Sequence, residues 1–413
     1  MNTLALDHIR VADLGIITAG AATTQVLADF GADVIKVEST TYTDPFRQWT
    51  QVAAKSNGPA DLNASPPFQS VNRNKRGVGI DLKHARGREA FLRLVSVSDV
   101  VVENFRRGVL ERLGLGFDEL RAVKPDIVLV SLTSQGLTGP ESGYISFGST
   151  LDALGGLMSV TGYDDQTPRW SGTNVNYPDQ LVSFLAPGVV LAALRQRDRT
   201  GEAIHVDFSQ RESVTSVIGE SVLGYTTTGE VARPRGNRDP VAAPQGVYPC
   251  QGEEQWLALS VPGDEQWTEL CRVLDLPALA EDEQLRTASG RQSAHDVLDK
   301  QIAAATAGRD KHDLAARLQE AGIAASPVLD AGEVLDSPQL AALGFFQDAA
   351  PGGFPAHRQR GFAAELQDTP GTVRQPAPRL GEHTRDVLSA LLGYSDQEIA
   401  ELADAGAISL DEH

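Results

Sequence analysis

Cysteine is nearly absent from this chain. Its two copies, Cys250 and Cys271, show no C-x-x-C spacing, so neither a disulfide framework nor a structural zinc site is expected. Basic residues are the minority: 36 Lys and Arg against 55 Asp and Glu give a formal net charge of −19. That balance argues against non-specific binding to nucleic acid or to an anionic membrane, while leaving room for a local basic pocket. No window holds the uninterrupted apolar stretch that a membrane span requires. The opening residues lack a basic region followed by an apolar core, and Asp7 and His8 interrupt them, so no secretory signal is expected. These absences point to a soluble, cytoplasmic protein without an internal repeat or a low-complexity tract.

What is present is enough sequence, 413 residues, for one large domain and a smaller one. Short apolar strands are expected at 9–14, 34–37, 79–82, 99–103, 127–132 and 204–208, alternating with helical stretches such as 25–30 and 85–97. This alternation predicts an α/β domain with a largely parallel sheet, whose ligands bind beyond the carboxyl ends of the strands. Glu38, Asn104 and Gln135 fall at or just past such ends. The first turn, Thr18-Ala-Gly-Ala-Ala-Thr-Thr24, has Gly15 and Gly20 near it but no G-x-G-x-x-G, which argues against a dinucleotide site.

Residues 39–71 read as a long loop, of the kind usually reserved for function. The cluster Asn72-Arg-Asn-Lys-Arg76 that follows reads either as a solvated turn or as an anion site. The tract Arg233-Pro-Arg-Gly-Asn-Arg238 reads as a linker, with Arg238 free to meet a carboxylate substrate or to pair with Asp239 or Glu230. A small α+β segment is expected after it, and then a helical tail that packs back on the first domain.

One acidic residue stands out. The stretch Trp170-Ser-Gly-Thr-Asn-Val-Asn-Tyr-Pro-Asp179 precedes an apolar run from Leu181 to Leu194. Pro178 favours an extended approach, and Asp179 then suits the N-cap of the following helix as readily as it suits a nucleophile. Asp164, Asp165 and Arg169, just upstream, read as a solvated loop or as part of a pocket.

Several segments together resemble the class III coenzyme A transferases, a family that also contains the α-methylacyl-CoA racemases. They are Leu27-Ala-Asp-Phe-Gly-Ala-Asp-Val-Ile-Lys-Val-Glu38, Asn74-Lys-Arg76, Ile80-Asp-Leu-Lys83, Val102-Glu-Asn-Phe-Arg106, Arg112-Leu-Gly-Leu115, Thr138-Gly-Pro140, Asp179 with Ala192-Ala-Leu194 and Arg197, Gly236-Asn-Arg238 and Leu380-Gly-Glu-His-Thr384. They span nearly the whole chain, in the order and spacing of the family.

The resemblance implies a Rossmann-like large domain, 1–225, completed by a return segment, 331–413, with a smaller α+β domain at 226–330 and an interlocked homodimer. It implies that CoA passes from an acyl-CoA thioester to a carboxylic acid through an aspartyl mixed anhydride and an enzyme–CoA thioester, with Asp179 as catalytic residue and no metal or other cofactor. By position, the CoA contacts would be Thr18, Ala19, Ile80, Asp81, Leu82, Lys83, Asn104, Phe105, Arg106 and Arg112, the arginines facing phosphates. The family's transferases often carry Gln where Thr18 stands and a basic residue where Ser39 stands. The Gly-rich loop of formyl-CoA transferase is not recognisable, which argues against formyl transfer. A racemase needs an acid/base pair, and the family's racemases place a His in a Gly-His-Asp setting. The comparable stretch, Ser142 to Ile145, has none, and His84 and His205 fall at positions the motif does not use. Transfer is therefore expected over racemisation, and the presence of Asp179 speaks against a non-catalytic CoA-binding subunit.

Overall fold

A computed structural model describes residues 4–49, 61–163, 167–172, 175–349 and 356–411. The chain divides into two compact units, one of Met1–Leu157, Trp170–Leu223 and Gln339–His413, the other of Met158–Arg169 and Gly224–Pro338. The segment Met158–Arg169 thus leaves the large unit, to which sequence alone assigned it.

Six strands of the first unit come early: β1 (Arg10–Asp13), β2 (Asp33–Glu38), β3 (Lys75–Ile80), β4 (Val100–Glu103), β5 (Val128–Thr133) and β6 (Ile204–Ser209). The second unit contributes β7 (Gln245–Pro249), β8 (Trp256–Ser260) and β9 (Ala324–Pro327), an antiparallel sheet in the order β7-β8-β9. Back in the first unit, β10 (Phe346–Ala349) pairs antiparallel with β11 (His357–Arg360), and β12 (Ile408–Ser409) ends the described chain.

The large sheet runs β12-β3-β2-β1-β4-β5-β6. Strands β1 to β6 are parallel, and β12 joins β3 antiparallel, with Ile408 opposite Ile80. Central strands such as β4 and β5 are Val/Leu-rich and buried throughout, as strands covered on both faces must be. Chain order reverses at the β1–β4 boundary, which opens a crevice at the carboxyl ends of those two strands.

Four helices of this unit bear on the site: α1 (Ala19–Asp29), α2 (Ala85–Ser96), α3 (Gly148–Leu154) and α4 (Tyr177–Thr200). One face of the sheet packs Val11, Val34, Val102 and Val130 against Ala28 of α1 and Val182, Ala186 and Val190 of α4. The opposite face packs Ile35, Val78 and Leu129 against Phe91 and Leu94 of α2 and against Leu388, Ile399 and Leu402 of the tail. Each such side chain contributes about 1.5–3 kcal/mol when fully buried. The tail is therefore part of the core, and Thr384 Oγ1 also accepts from Gly79 N at 2.9 Å to hold it against β3.

Three expectations change. The small-residue segment after β1 is no turn, because α1 begins at Ala19 and is buried along its whole length. Its Ala and Gly residues allow close packing, and the hydroxyls of Thr23 and Thr24 bond back to Ala19 O (2.7 Å) and Ala21 O (3.0 Å). The cluster at 72–76 is neither a solvated turn nor an anion site. Arg73 pairs with Asp29 at 2.6 Å, Lys75 with Asp13 at 2.8 Å and Arg76 with Asp33 at 2.7 Å, so its cations are neutralised internally. Finally, α4 is long and apolar enough, by length and composition alone, to cross a membrane. An uninterrupted apolar run missed it because its charges gather at the two ends. Here it packs on α1 and the sheet, with Pro187 in its interior.

In the loop expected at 39–71, the described residues include two short helices, Pro45–Gln48 and Pro66–Asn72. In the second unit, Trp267, Leu270, Leu298, Ile302, Leu314 and Leu318 pack from three helices onto β7–β9.

Candidate active site

The crevice between β1 and β4 is built around two glycines. A Cβ on Gly15 would lie 2.5 Å from the carbonyl carbon of Gly20, and one on Gly20 would lie 2.5 Å from Asn104 Oδ1. Only bare backbone lets the end of β1, the start of α1 and the residue after β4 meet. The turn between them is clamped. Asn104 Oδ1 accepts from Ile16 N at 2.8 Å, its Nδ2 donates to Ile16 O at 3.0 Å, and Asp44 Oδ1 accepts from Ile17 N at 3.1 Å. Lys36 Nζ donates to Gly15 O at 2.6 Å and pairs with Asp44 at 3.0 Å, fully buried. Ile17 has φ +56°, a costly conformation for a β-branched residue that persists only where surrounding bonds hold it.

Two cavities open from this crevice. The first, about 360 Å³, is lined by Glu38, Thr41, Tyr42, Ile80, Asp81, Leu82, Lys83, Asn104, Phe105 and Arg106, among others. The second, about 730 Å³, shares Asn104, Phe105 and Arg106 and adds Arg107, Arg112, Gln135 and the wall from Ser142 to Phe147. Eight of the ten expected CoA contacts are thus brought together. Thr18 and Ala19 are not; both are buried at the start of α1 and line neither cavity. The side chains of Arg106 and Arg112 have no hydrogen bond or ion pair among the described residues, and both are exposed. Asp81 orders its own turn, accepting from Thr41 Oγ1 and Lys83 N at 2.8 Å each.

Glu38, at the end of β2, is not a free carboxylate at the strand end. It is clasped by buried Arg47 at 2.8 Å. Burial pushes its carboxyl up, but the Arg47 guanidinium and Lys36 more than offset this and hold its pKa at about 2.

Asp179 is not the N-cap of α4. That position belongs to Asn176, and Asp179 stands at the third helical residue. Its carboxylate accepts a bond from Asn176 Nδ2 at 2.6 Å. Burial pushes its pKa up to about 7, which keeps the group poised between its two forms near neutrality. Asp179 lines neither cavity itself. The link is Asn176, which lies against Gly148 at the start of α3, immediately after Phe147 in the wall of the larger cavity. Asp164 and Asp165 lie outside the described residues; Arg169 is exposed and its N–H bonds to Thr161 O at 2.9 Å.

Sequence reasoning missed a second perturbed carboxyl. Glu103, ending β4, accepts from Phe105 N at 2.7 Å beneath the Arg106 turn. Burial raises its pKa to about 7, against the lowering effect of the Ser131 hydroxyl. Ser131 in turn meets His205 Nε2 at 3.0 Å, and the His205 ring stacks on Phe117. An acidic residue closing an all-valine strand was the available signal. His84 is also engaged, accepting from Arg86 N at 3.2 Å to cap α2.

A larger cavity, about 870 Å³, lies within the second unit and is not lined by the carboxyl ends of the parallel strands. Arg238 there pairs with Asp296 and, at 3.2 Å, with Asp299, rather than with Asp239 or Glu230. The crevice at the carboxyl ends of the parallel strands, where ligands of such sheets bind, is therefore taken as the candidate site.

Residues 6–384 match the sequence model of CoA-transferase family III. The chain belongs to that family. It is 33% identical over 397 residues to a succinyl-CoA–D-citramalate CoA-transferase of Chloroflexus aurantiacus, covering 96% of each chain. It is 33% identical over 390 residues to a succinate–glutarate CoA-transferase of Agrobacterium fabrum, covering 94% of this chain and 95% of that one. The crystal structure of a CaiB/BaiF family protein from Brucella suis superposes with a TM-score of 0.86 at 29% identity, over 95% of this chain and all of that one. As a family III CoA-transferase, the chain is an enzyme that moves CoA between an acyl-CoA thioester and a carboxylic acid acceptor.

Proposed function

We propose that the chain transfers CoA from succinyl-CoA, or another short dicarboxylic acyl-CoA, to a small dicarboxylic acid, with Asp179 as nucleophile. The observation that carries the reading is the pairing of an arginine-lined crevice with a carboxyl held near neutrality. Arg106, Arg107 and Arg112 line one cavity beyond the strand ends, and Asp179 is linked through Asn176 to Gly148, the residue next to Phe147 in its wall. The two relatives described above are named for dicarboxylic substrates, which supports that class here.

In this reading the first unit is the CoA-binding domain. The smaller cavity, walled by Tyr42 and Phe105 with rings 6.2 Å apart, takes the nucleotide, and Lys83, Arg106 and Arg112 face its phosphates. Thr18 and Ala19 serve the shape of the site rather than direct contact.

The chemistry needs only a carboxylate, because a thioester is already activated. Asp179 attacks the acyl carbon, the C–S bond breaks and CoA thiolate departs, leaving an aspartyl mixed anhydride. Thiolate then attacks the aspartyl carbonyl, releasing the donor acid and leaving an aspartyl–CoA thioester. The acceptor acid reverses both steps and leaves as its own thioester. Racemisation finds less support, since His84 and His205 are both committed to structural bonds.

We also propose that two copies interlock as a cytoplasmic homodimer. Phe184, Leu185, Val189 and Leu191 stand exposed along α4, an apolar face that a second copy would cover. Light scattering that found a fully active monomer would remove this part.

The function is tested by a matrix of CoA thioesters and acids scored by mass spectrometry, with succinyl-CoA expected among the donors. Hydroxylamine added during turnover is expected to convert Asp179 to a hydroxamate. Asp179→Asn is expected to fold, bind CoA and lose transfer by several orders of magnitude. A fully active Asn variant would defeat the proposal.

A further inference from the structure

We infer that Asn176 is the oxyanion donor for the chemistry at Asp179, and that Gly148 is the residue that gives it room. This rests on Asp179 being the nucleophile.

Three local rules are broken around this one amide. An Asn at a helix N-cap ordinarily accepts from the N–H of the second or third helical residue. Asn176 makes no such bond; Pro178 has no N–H to offer, and the side chain turns to Asp179 instead. Its own Oδ1 is buried with no hydrogen-bond partner among the described residues. And it presses on Gly148 so closely that a Cβ there would lie 1.6 Å from Asn176 Oδ1. A lost cap, an unpaired acceptor and a glycine packed directly against the amide converge on a single product, an Nδ2–H aimed at Asp179 Oδ2 from 2.6 Å. Such convergence of unfavourable local choices is expected where geometry serves function.

That bond has a definite place in the reaction. When Oδ1 of Asp179 uses its lone pair to attack the thioester carbon, the C–S electron pair leaves on sulfur and Oδ2 becomes the carbonyl oxygen of the anhydride. Thiolate attack at Cγ then drives the carbonyl pair onto Oδ2, which carries the negative charge of the tetrahedral intermediate. Asn176 Nδ2 donates to that same oxygen. Collapse expels the donor carboxylate, and no proton is needed at any stage. The acceptor acid attacks the same Cγ, so the amide serves both attacks there. The two attacks on the acyl carbon do not use it.

The test compares Asn176→Ala and Gly148→Ala with Asp179→Asn, using succinyl-CoA as donor and glutarate as acceptor. Loss of one oxyanion donor should lower kcat about 10²–10³-fold, with KM for succinyl-CoA changed little. With succinyl-CoA alone, wild type should accumulate a CoA adduct on the Asp179 peptide, and Asn176→Ala should not. The acid limb of its pH–rate profile should also move to higher pH, because a donor to the ionised carboxylate is gone. Asn176→Ser, with a shorter donor, should recover part of the rate. Asn176→Ala with wild-type kcat and adduct, beside a dead Asp179→Asn, would overturn this inference alone. An active Asp179→Asn would overturn it together with the proposed nucleophile. Should Asn176→Ala fail to fold, Gly148→Ala and Asn176→Ser carry the same comparison, and wild-type kcat in both would overturn it.

Discussion

Asn104 clasps Ile16 with both ends of its amide, accepting from Ile16 N at 2.8 Å and donating to Ile16 O at 3.0 Å. The residue expected to touch CoA thus spends its side chain on the backbone that forms the crevice floor. Asn104→Ala removes two hydrogen bonds of about 0.5–1.5 kcal/mol each and frees the strained Ile17 turn. KM for the acyl-CoA should rise together with a modest fall in Tm. A fall in Tm with unchanged KM would show that the clamp serves only stability.

Asp179 ties activity and stability to pH in opposite senses. Attack requires the carboxylate, so kcat should climb as pH rises through about 7. Stability runs the other way. From the ordinary carboxylate range up to about 7, the folded chain keeps a proton that the unfolded chain has released, so stability falls across that window. Asp179→Asn should therefore raise Tm relative to wild type at pH 8 and not at pH 4. Thermal melts at the two pH values check this, and an equal shift at both would count against a buried carboxylate.

The unpaired guanidiniums of Arg106 and Arg112 should act on binding. Phosphate contacts persist from ground state to transition state, so Arg106→Ala and Arg112→Ala should each raise KM for the acyl-CoA with less effect on kcat. Tm should hardly move, since neither side chain has a partner among the described residues to lose. Loss of kcat at constant KM in both variants would place these arginines elsewhere in the mechanism.

Arg47 and Glu38 make the opposite prediction. Both are buried, and the Arg47 guanidinium also lies 3.6 Å from the centre of the Phe68 ring. Glu38 titrates at about 2 in the fold against 4.5 as its ordinary value, so its contribution is whole above 4.5 and lost as pH falls toward 2. Arg47→Met leaves a buried charge uncompensated and should cost about 3–5 kcal/mol, most of it regained in the double variant with Glu38→Gln. Urea unfolding at pH 7 measures both. A single variant as stable as wild type would mean that the pair is exposed to water in solution.

Sequence by itself determined the architecture of the large unit and pointed to a candidate site at its strand ends. Strands such as Val100–Glu103 and Val128–Thr133 are buried on both faces, so their apolar runs announce a parallel sheet, and polar residues at their ends mark the crevice. The family resemblance, rather than local pattern, singled out Asp179, Arg106 and Arg112 as candidates. Only tertiary structure decided how charge is distributed. Local pattern shows Arg73 and Lys75 beside Arg76 as one basic cluster, whereas their partners Asp29 and Asp13 lie 44 and 62 residues earlier in the chain. Whether a cation is spent on a buried partner or left for a ligand depends on contacts that no local window contains. The same holds at α4. Sequence offers Asp179 as the cap of the helix, whereas the fold gives that position to Asn176, whose amide packs against Gly148 of another helix and donates to the Asp179 carboxylate.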